Sequence, residues 1–342
     1  MRIIGCDLHA AQQTIAMLDR ETGAVVEKAL KHEGTTVRDF YAGLAPPVVV
    51  GIEATGSMGW FLRLMEELRI TCHVGHPAKI RQAETRRQKH DRRDAALLLE
   101  LLAADRFPSI WMPSSELCDL RALLLHRDQW VRMRTRVKNA LQGLALAHGI
   151  RRGASLWSRS GQATLASLPL APHAGDRRSE LQALHDHLTT HIDDLDQQVS
   201  VEAHRRPESC RLMTHPGVGP VTALATDVFL GDPSRFVDAK ALASYVGMIP
   251  SEYSSGDRHR FGKLTKQGNP FLRFLWCEAA IHAVRRDAAL RRFYRRKLHQ
   301  KGLGKARVAA GRKLGIRLWI LLRDQIDYGE FCRRAPARAA AR

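Results

Sequence analysis

The N-terminal part of the chain carries the apolar patterns of a small sheet with intervening helices. Strands are predicted, from alternating or continuous apolar residues between turn signals, over residues 2–7, 13–18, 24–30, 48–53 and 71–74. Helices are predicted over residues 37–41 and 57–68. The resulting order β-β-β-α-β-α-β, followed by further helices, favours the α/β class with a mixed sheet covered by helices.

Further along the chain, apolar positions recur at helical spacing. A long helix is predicted from Ser114 toward His148, with arginines between its leucines. Those arginines either form a solvated face or contact nucleic acid. From Leu181 to Val199, apolar residues repeat in steps of three and four, which predicts a coiled-coil-like stripe. We interpret the two helices as an antiparallel pair that could also form a dimer seam, joined by an irregular stretch over residues 153–176.

The last third of the chain is predicted to be mainly helical. Gly217 and Gly219 precede a helix, an arrangement like the hairpin of helix-hairpin-helix DNA-binding modules, in which backbone N–H groups face a phosphate. Alternatively, the two glycines allow close packing of helices. A helix is predicted over residues 236–245, and Asn269 with Pro270 predicts the start of another.

Breaks in the pattern divide the chain into four segments. They are residues 1–108 with the mixed sheet, 109–206 as a helical connector, 207–330 as a mainly helical C-terminal domain, and 331–342 as a basic tail. The tail is rich in alanine and arginine, and we expect it to be disordered from Arg333 onward.

The composition favours a polyanionic partner. Among 342 residues, 54 Lys and Arg outnumber 35 Asp and Glu, so the formal net charge is +19. Such an excess favours nucleic acid, because phosphate contacts release condensed counterions and steer association. An anionic membrane surface is the alternative, but no amphipathic anchor stands out. Because the six cysteines are scattered singly and no apolar run resembles a signal peptide or a membrane span, we expect a cytoplasmic protein.

Four acidic residues suggest a site. Asp91 and Asp94 lie three residues apart at the start of an apolar helical run, so both side chains share one face. These two acids could serve only to cap and charge the helix start. Asp7 and Glu53, however, end two apolar strands, where a charge is unfavourable unless it is paired or binds a metal.

Carboxylates from distant parts of one domain are the ligands that Mg²⁺ prefers. Two such ions can stabilise both the entering and the leaving oxygen of a phosphodiester exchange. We therefore expect Mg²⁺, as two ions, and a basic protein that cuts or joins nucleic acid.

Five motifs connect the chain to a known family. In order they are Ile4-Gly5-Cys6-Asp7; Gly51-Ile52-Glu53-Ala54-Thr55-Gly56; Lys89-His90-Asp91-Arg92-Arg93-Asp94-Ala95; Pro216-Gly217-Val218-Gly219; and Gly247-Met248-Ile249-Pro250 through Tyr253-Ser254-Ser255-Gly256. In content and order they resemble the insertion-sequence 110 family of DEDD transposases, including its 1111-type subgroup. The resemblance covers essentially the whole chain.

The resemblance implies a RuvC-like N-terminal domain with a ribonuclease H fold, a helical connector and a C-terminal transposase domain. The family's acidic tetrad corresponds to Asp7, Glu53, Asp91 and Asp94, which would hold Mg²⁺, and its catalytic serine to Ser255. Members use that serine to attack a DNA phosphodiester, which gives a covalent protein–DNA intermediate.

The resemblance also implies partners. Members are guided by a structured noncoding bridge RNA that pairs with donor and target DNA. They act as tetramers in which acidic and serine domains from different protomers complete one site. We therefore expect DNA, a bridge RNA and a homo-oligomer between dimer and tetramer, with no membrane partner.

The proposed serine leaves choices open. A serine hydroxyl is a weak nucleophile until a base or a metal activates it, and no histidine–aspartate pair is evident near Ser255, so metal activation is simpler. Ser254 is the rival nucleophile, and without the family the Ser-Ser-Gly stretch would be an ordinary turn. Nearby basic residues are candidates for phosphate contacts, namely Arg258, Arg260, Lys263 and Lys266.

The chain departs from the family's pattern at two positions. Related sequences often carry lysine near the position of Ala10 and threonine at that of His90. Neither change removes an acid of the tetrad or Ser255, although RNA or substrate contacts could differ. His9 and His90 either tune the metal site or are surface histidines. Two other functions fit the residues: a RuvC-like nuclease or junction resolvase that uses water, and a nucleic-acid-binding protein without catalysis.

Overall fold

The computed structural model of the chain describes all but a few short segments. The described residues are 1–84, 91–151, 153–253 and 260–340. They form two compact units, Met1–Ser115 and Glu116–Arg342, each with its own core. Within these described ranges, no helix combines the length and the apolar character needed to cross a membrane.

The first unit is built around a five-stranded mixed sheet. Its strands are β1 (Arg2–Leu8), β2 (Gln12–Asp19), β3 (Val25–Lys31), β4 (Val48–Glu53) and β5 (Thr71–Gly75). They lie in the order β3-β2-β1-β4-β5. Strands β1, β2 and β3 pair antiparallel, whereas β4 and β5 continue parallel from β1. The predicted α/β class and the predicted order of elements are confirmed.

Helices cover both faces of this sheet. They are α1 (Thr36–Ala42), α2 (Gly59–Glu67), α3 (Pro77–Ala83) and α4 (Asp91–Ala103). On one face, Ile4 and Cys6 of β1 lie in a core with Tyr41 of α1 and Phe61 of α2. Burial of these large apolar side chains fixes α1 and α2 against the sheet.

The opposite face of β1 packs against α4. There Ile3 lies in a core cluster with Ala95 and Leu99 of the helix. Because successive strand residues face opposite sides, Gly5 and Asp7 share this face with Ile3. The alternation along β1 therefore directs the acid at its end toward α4.

The second unit contains two long helices joined by a shorter one. They are α5 (Ser115–Ala147), α6 (Arg159–Ala166) and α7 (Pro172–Arg205). Glu116 near the start of α5 lies 2.8 Å from Arg206 just after α7, and Arg127 farther along α5 lies 2.5 Å from Asp196. Later residues of α5 thus meet earlier residues of α7, so the two helices are antiparallel, as predicted.

Three arginines of α5 bond within the protein. Arg127 pairs with α7, as above, and Arg121 donates to the carbonyl oxygen of Val228 over 2.9 Å. Arg132 lies 2.7 Å from Asp128, one turn earlier on the same helix. Arg121 and Arg127 therefore tie α5 to other helices, whereas Arg132 lies on the solvated face of α5.

The connection between α5 and α7 is more ordered than the sequence predicts. It holds a 3₁₀ turn over Gly153–Trp157 and the helix α6, so the prediction of an irregular stretch over residues 153–176 is wrong. Leu156 and Leu165 are buried in the core cluster between the long helices, and Ser158 caps α6. Tertiary burial stabilises such short helices, whose own sequence pattern is weak.

The rest of the second unit packs around one large core. Its elements are α8 (Pro207–Met213), α9 (Pro220–Leu230), α10 (Ala239–Tyr245), β6 (Pro250–Glu252), β7 (Phe261–Leu264), α11 (Pro270–Ala283), α12 (Ala288–Arg323) and α13 (Tyr328–Ala340). Trp276 of α11 and Trp319 of α12 are the largest buried side chains. As predicted, Asn269 caps α11, accepting from two backbone N–H groups of its first turn.

Helix α10 begins later than the predicted start at Phe236. The side chain of Asp238 accepts a hydrogen bond from the backbone N–H of Ala241, which fixes the first helical residue at Ala239. Phe236 itself is buried in the core outside the helix. The sequence predicts Phe236 as helical, whereas its side chain is a core contact outside the helix.

The C-terminal helix α13 extends to Ala340, so the prediction of a disordered tail from Arg333 is wrong for that stretch. Alanine and arginine are both strong helix formers. Glu330 lies 2.7 Å from Arg333 and 2.8 Å from Arg334, the pairing expected one helical turn apart. Local propensity and these ion pairs favour the helix over disorder.

Helix α12 reverses its direction at Gly302. That glycine has φ 75° and ψ 173°, a conformation that L side chains rarely adopt. The Lys313 ammonium nevertheless lies 4.4 Å from the centre of the Phe293 ring. A straight helix would separate these residues by about 30 Å. The two halves of α12 therefore form an antiparallel helical hairpin.

Candidate active site

Asp7 and Glu53 are neighbours at the carboxyl ends of β1 and β4. The two strands are parallel, and their register pairs Cys6 with Ile52, so the two acids follow as the next pair. Neighbouring strands lie about 4.8 Å apart. The side chain of Asp7 is only 14% exposed, and Glu53 is half-buried. The sheet alone thus brings together the two acids that the sequence places 46 positions apart.

Two glycines allow α4 to lie directly on this part of the sheet. A Cβ at Gly5 would lie 2.2 Å from the carbonyl oxygen of Ala95 in α4. Gly51 is the register partner of Gly5, and a Cβ there would lie 2.5 Å from the side chain of Leu102 in α4. Each glycine stands two residues before an acid and on the same face. The close approach of α4 therefore occurs beside both strand-end acids.

The first turn of α4 brings Asp91 and Asp94 to Asp7. Burial raises the pKa of Asp7, and the negative charges of Asp94 and Asp91 raise it further, against an opposing effect of His9. A carboxylate whose pKa is raised by neighbouring like charges is typical of acids gathered at one point. Asp91 and Asp94 also favour the positive end of the helix dipole, so the helix-start role and a role in a site are compatible.

His9 joins the acidic cluster. Its Nε2 lies 3.0 Å from Oδ2 of Asp7 and 3.9 Å from Oδ1 of Asp91. One possible ligand atom from each of these three residues lies within 4.8 Å of the other two, close enough for a single metal ion. The sequence signal for His9 is its place two residues after Asp7, on the same side of the extended chain. His90, the other histidine considered above, lies outside the described residues.

A groove runs beside the cluster, along β2 and β3. Its volume is about 720 Å³. Cations adjoin the acid of α4 in this groove, an arrangement that suits a phosphodiester backbone approaching a carboxylate site. The charged residues of the lining are Glu27, Lys28, Asp91, Arg92 and Arg93.

The predicted nucleophile Ser255 and its rival Ser254 lie outside the described residues. The structure describes the chain on both sides of them. Strands β6 and β7 pair antiparallel, and the backbone N–H of Tyr253 donates to the carbonyl oxygen of Arg260 over 2.9 Å. The two serines are therefore in the segment that joins a pair of hydrogen-bonded strands.

The four predicted phosphate contacts belong to the same hairpin and the turn after it. Arg258 lies outside the described residues. Arg260, Lys263 and Lys266 are exposed, with Lys263 on β7 itself. Lys266 has φ 53° in the turn that leads to α11. These three side chains are accessible to an anion, and their contact with phosphate stays a prediction.

The two glycines between α8 and α9 differ in their surroundings. Gly217 has φ 83°, and a Cβ there would lie 2.5 Å from the backbone nitrogen of Ala283 in α11. Gly219 immediately precedes Pro220 at the start of α9 and has open space around it. Close helix packing therefore explains Gly217, whereas an anion-facing helix start stays a prediction for Gly219.

Comparison with known proteins identifies the family. Residues 4–148 match a model described as Transposase, for the DEDD transposases of the IS110 group. Residues 209–295 match the model described as Transposase IS116/IS110/IS902 family. The two matches together cover more than half of the chain. The chain belongs to the IS110 family of transposases.

Relatives support the same family over the full length. The chain is 28% identical to a probable family 20 transposase of Pseudomonas aeruginosa, over 95% of this chain and 98% of that protein. It is 26% identical to the transposase for insertion sequence element IS1111A of Coxiella burnetii, over 96% of this chain and 91% of that protein. A pilin gene-inverting protein of Moraxella lacunata is 29% identical over 65% of this chain and 62% of its own length.

This IS110-family transposase is thus an enzyme that cuts and rejoins DNA. The acidic cluster lies within the first matched segment, and the β6–β7 hairpin lies within the second. Both regions indicated by the motifs therefore fall inside the segments that define the family.

Proposed function

We propose that this transposase moves an insertion sequence through a covalent phosphoserine intermediate, with an acidic tetrad that binds Mg²⁺ and a bridge RNA as guide. The observation that carries the proposal is the convergence of Asp7, Asp91 and Asp94, with Glu53 as the sheet neighbour of Asp7. Two strand ends supply Asp7 and Glu53, which the sheet brings together, and the packing of α4 on the sheet adds Asp91 and Asp94.

The chemistry of the cluster fits a divalent cation. Carboxylate oxygens are the ligands that Mg²⁺ prefers, and the carboxylates of Asp7 and Asp91 lie within reach of one ion. Burial is the largest cause of the raised pKa of Asp7, the charges of Asp94 and Asp91 add to it, and a bound cation would offset both effects. Asp7, Glu53, Asp91 and Asp94 would be the ligands. When bound, Mg²⁺ would neutralise the negative charge that develops at the reacting phosphate.

We assign His9 a positioning role beside this site. It hydrogen-bonds Asp7 across 3.0 Å, and partners of this kind commonly orient metal-binding side chains. Imidazole nitrogen is a poorer ligand than carboxylate for Mg²⁺. His9 therefore fits better as the residue that holds Asp7 in place than as a ligand of the ion.

The strand order supports the RuvC-like part of the proposal. An antiparallel meander of β1 to β3 continues into parallel β4 and β5. Acids stand at the ends of β1 and β4 and at the start of α4, which packs on β1. This is the layout that the ribonuclease H fold of the family implies.

The nucleophile of the proposal is Ser255. Its oxygen would form a bond to a DNA phosphorus while the bond from that phosphorus to a sugar oxygen breaks, and the serine proton would end on the released hydroxyl. The reverse step with another strand end reseals the DNA, so no ATP is needed. Support comes from the Tyr-Ser-Ser-Gly motif and from its place between two paired strands.

The partners of the proposal are donor and target DNA, a bridge RNA and further copies of the chain, two to four in all. The formal net charge of +19 supports polyanionic partners. The name of the Moraxella relative, a pilin gene-inverting protein, describes DNA that is cut and rejoined. Rejoining favours a covalent intermediate over simple hydrolysis.

A metal-dependent nuclease that uses water is the alternative function. It is favoured by one observation: the acidic cluster is assembled within the first unit, from residues of that unit alone. Such an enzyme would need the four acids and would not need Ser255.

The deciding experiment is a strand-cleavage assay with the full-length protein, its flanking RNA, Mg²⁺ and labelled element-junction DNA on a denaturing gel. The proteins compared are the wild type, Ser255→Ala, the matched control Ser254→Ala and Asp91→Asn. We expect a protein–DNA adduct with the wild type and Ser254→Ala. Ser255→Ala and Asp91→Asn should each lose it.

Two results would change the proposal. Free cut ends that persist in Ser255→Ala and vanish in Asp91→Asn would establish the nuclease instead. Loss of the adduct in Ser254→Ala alone would move the nucleophile by one residue.

A further inference from the structure

A basic groove lies between the β6–β7 hairpin and the helical hairpin of α12, within the second unit. Its volume is about 960 Å³. One cation of its lining comes from β7 and five come from α12, and the lining residues that the structure describes include no Asp or Glu. The cations are Lys263, Lys297, Lys301, Lys305, Arg312 and Lys313.

The floor of this groove is apolar and aromatic. Phe261, at the start of β7, lines it with 65% of its surface exposed. Phe293, Val308 and Ile316 of α12 complete the floor. A phenylalanine this exposed, beside other apolar side chains, is typical of a binding surface.

The cations and the aromatic floor are in direct contact. The ammonium of Lys313 lies 4.4 Å from the centre of the Phe293 ring, and that of Lys297 lies 5.9 Å from the same centre. Burial and the neighbouring Arg317 and Arg296 lower the pKa of Lys313. The groove thus combines crowded positive charge with flat apolar faces, so a suitable ligand carries both negative charge and flat apolar groups.

We propose that this groove binds an unpaired nucleic-acid strand, with phosphates along the lysines and bases on Phe261 and Phe293. Single-strand-binding proteins combine a basic track with aromatic side chains on which bases stack. A duplex presents phosphates but no free base faces, so it would leave Phe261 in water. The proposal rests on the proposed function only in that nucleic acid is the substrate, and DNA and RNA strands share the chemistry.

The position of the groove fits a reacting strand. One of its walls is β7, which follows in sequence the segment that contains Ser255. An unpaired strand held here would lie against the hairpin that carries the proposed nucleophile. Strand exchange requires unpaired ends, so such a surface would hold an end between cutting and rejoining.

The first test measures binding by fluorescence anisotropy with the full-length protein in EDTA, where no cleavage occurs. The probes are labelled oligothymidylate, oligouridylate and a DNA duplex of equal length. Phe261→Ala should weaken binding of the preferred single strand by roughly 5- to 150-fold, the range expected for loss of base stacking. The control is Phe274→Ala, because Phe274 on α11 is 55% exposed and lies outside the groove lining. It should stay within about twofold of the wild type.

The second test measures the salt dependence of the same binding. Lys301 and Lys305 are both exposed, so their joint replacement with glutamine should leave the fold intact. Binding weakens as salt rises, and each lost phosphate contact makes the plot of log K against log salt shallower by about 0.7. The slope of the double variant should therefore be shallower than that of the wild type by about 1.4. Replacing exposed Lys240 and Arg292 with glutamine removes the same charge elsewhere in the unit and should change the slope less.

The outcomes separate this proposal from the proposed function. A preference for a single strand that Phe261→Ala weakens supports the groove, and the preferred probe, oligothymidylate or oligouridylate, identifies the strand as DNA or RNA. Equal binding of duplex and single strands, with Phe261→Ala and the lysine variant both like their controls, overturns it. The adduct assay with Ser255→Ala is unaffected by that result, because the anisotropy assay contains neither Mg²⁺ nor a reaction.

Discussion

Asp7 in the first unit and Asp287 in the second are both shielded carboxylates, and their pKa values shift in opposite directions. The pKa of Asp7 is raised, because burial and two neighbouring acids disfavour its charge. Burial acts in the same sense on Asp287, but hydrogen bonds and a neighbouring arginine outweigh it, and the pKa of Asp287 is lowered. The difference lies in the partners that each fold provides.

Asp287 is held by a complete set of partners. It caps α12 by accepting from the N–H of Leu290 over 2.7 Å, and it pairs with buried Arg317. The hydroxyl of Tyr328 donates to it over 2.9 Å. These contacts tie the start of the helical hairpin, its second half and α13 together. Asp287 is therefore a structural carboxylate.

Among the residues that the structure describes, Asp7 has one hydrogen-bonding side chain, His9, and two repelling neighbours, Asp91 and Asp94. A fold whose carboxylates served only stability would pair them, as it pairs Asp287. Acids that raise the pKa of a shielded neighbour at one sheet edge are typical of a functional site and support the proposed cation site. The comparison thus separates an acid that stabilises the fold from acids whose arrangement fits the proposed cation site.

The largest expected effect is loss of the Asp287 network. Asp287→Ala leaves Arg317 buried without its partner, which should lower the free energy of unfolding by about 3–5 kcal/mol. Urea denaturation followed by circular dichroism measures it. Glu278→Ala is the control, because its pair with Arg307 is about half exposed and should contribute less than about 1 kcal/mol. Equal losses in the two variants would contradict the structural role of Asp287.

The next effect concerns His215, whose Nε2 lies 3.9 Å from Asp287 in the same network. Burial lowers the pKa of His215 to about 4 from 6.5, with Arg317 acting in the same sense. As pH falls from 6.5 toward 4, His215 becomes protonated in the unfolded chain but stays neutral in the folded chain. The free energy of unfolding should therefore fall by about 3 kcal/mol. The contribution of Asp287 is lost only below pH 3.8, because its folded pKa is lowered.

Urea denaturation between pH 7 and 4 measures the slope of the free energy of unfolding against pH. His215→Gln should flatten this slope, whereas His204→Gln, on the exposed side of α7, should leave it unchanged. An unchanged slope in His215→Gln would assign the pH dependence to other groups.

Magnesium should act on one of the two carboxylate sites only. At a concentration one hundred times its dissociation constant, Mg²⁺ should stabilise the wild type by about 2.7 kcal/mol. Asp7→Asn and Asp91→Asn should lose that gain, and Glu278→Ala should keep it. Thermal unfolding with and without Mg²⁺ provides the comparison. A gain that survives both aspartate variants would place the ion elsewhere.

A smaller effect should follow when the packing beneath the acids is changed. Gly5→Ala forces α4 away from the sheet, which should cost about 1–3 kcal/mol and weaken Mg²⁺ stabilisation, because Asp91 and Asp94 move with the helix. Gly143→Ala is the control, since Gly143 lies in α5 with open space around it. That change should stabilise by about 0.5–1 kcal/mol. If Gly5→Ala kept full Mg²⁺ stabilisation, the close approach of α4 would not define the site.

The smallest expected effect is an increase in stability when Asp7 is replaced. The folded state raises the pKa of Asp7, so its favourable contribution is present at low pH and is lost as pH rises through that pKa. Asp7→Asn should therefore be more stable than the wild type at pH 7 in EDTA, while losing activity. The difference should shrink below the ordinary pKa of 3.8. A less stable variant at pH 7 would mean that Asp7 is paired more fully than its repelling neighbours indicate.

The sequence predicts the parts of the fold that depend on short stretches. Apolar strands ending in Asp7 and Glu53 can be recognised from period and composition, as can a helix beginning with Asp91 and Asp94. Parallel strands end at the same sheet edge, so the meeting of the two strand-end acids also follows once the sheet is assumed.

Features that depend on distant pairs were not predictable in this way. Arg317 and Asp287 are thirty positions apart and meet only because the chain reverses at Gly302. Gly302 and Gly304 mark a break between two basic helices in the sequence, but they do not show that the chain turns back on itself. The short helix α6 is similar, because its stability comes from burial of Leu165 against the long helices. His9 lay in the predicted region, but only its distances to two acids distinguish it from a surface histidine.

The reversal at Gly302 also gives a place to divide the chain. Residues 301–305 are all exposed, and the helices on either side are joined by contacts of their own, such as Lys313 with Phe293. A break in the backbone between Lys301 and Leu303 would leave those contacts in place. A transposase nicked at this reversal should therefore keep the two halves of its helical hairpin together.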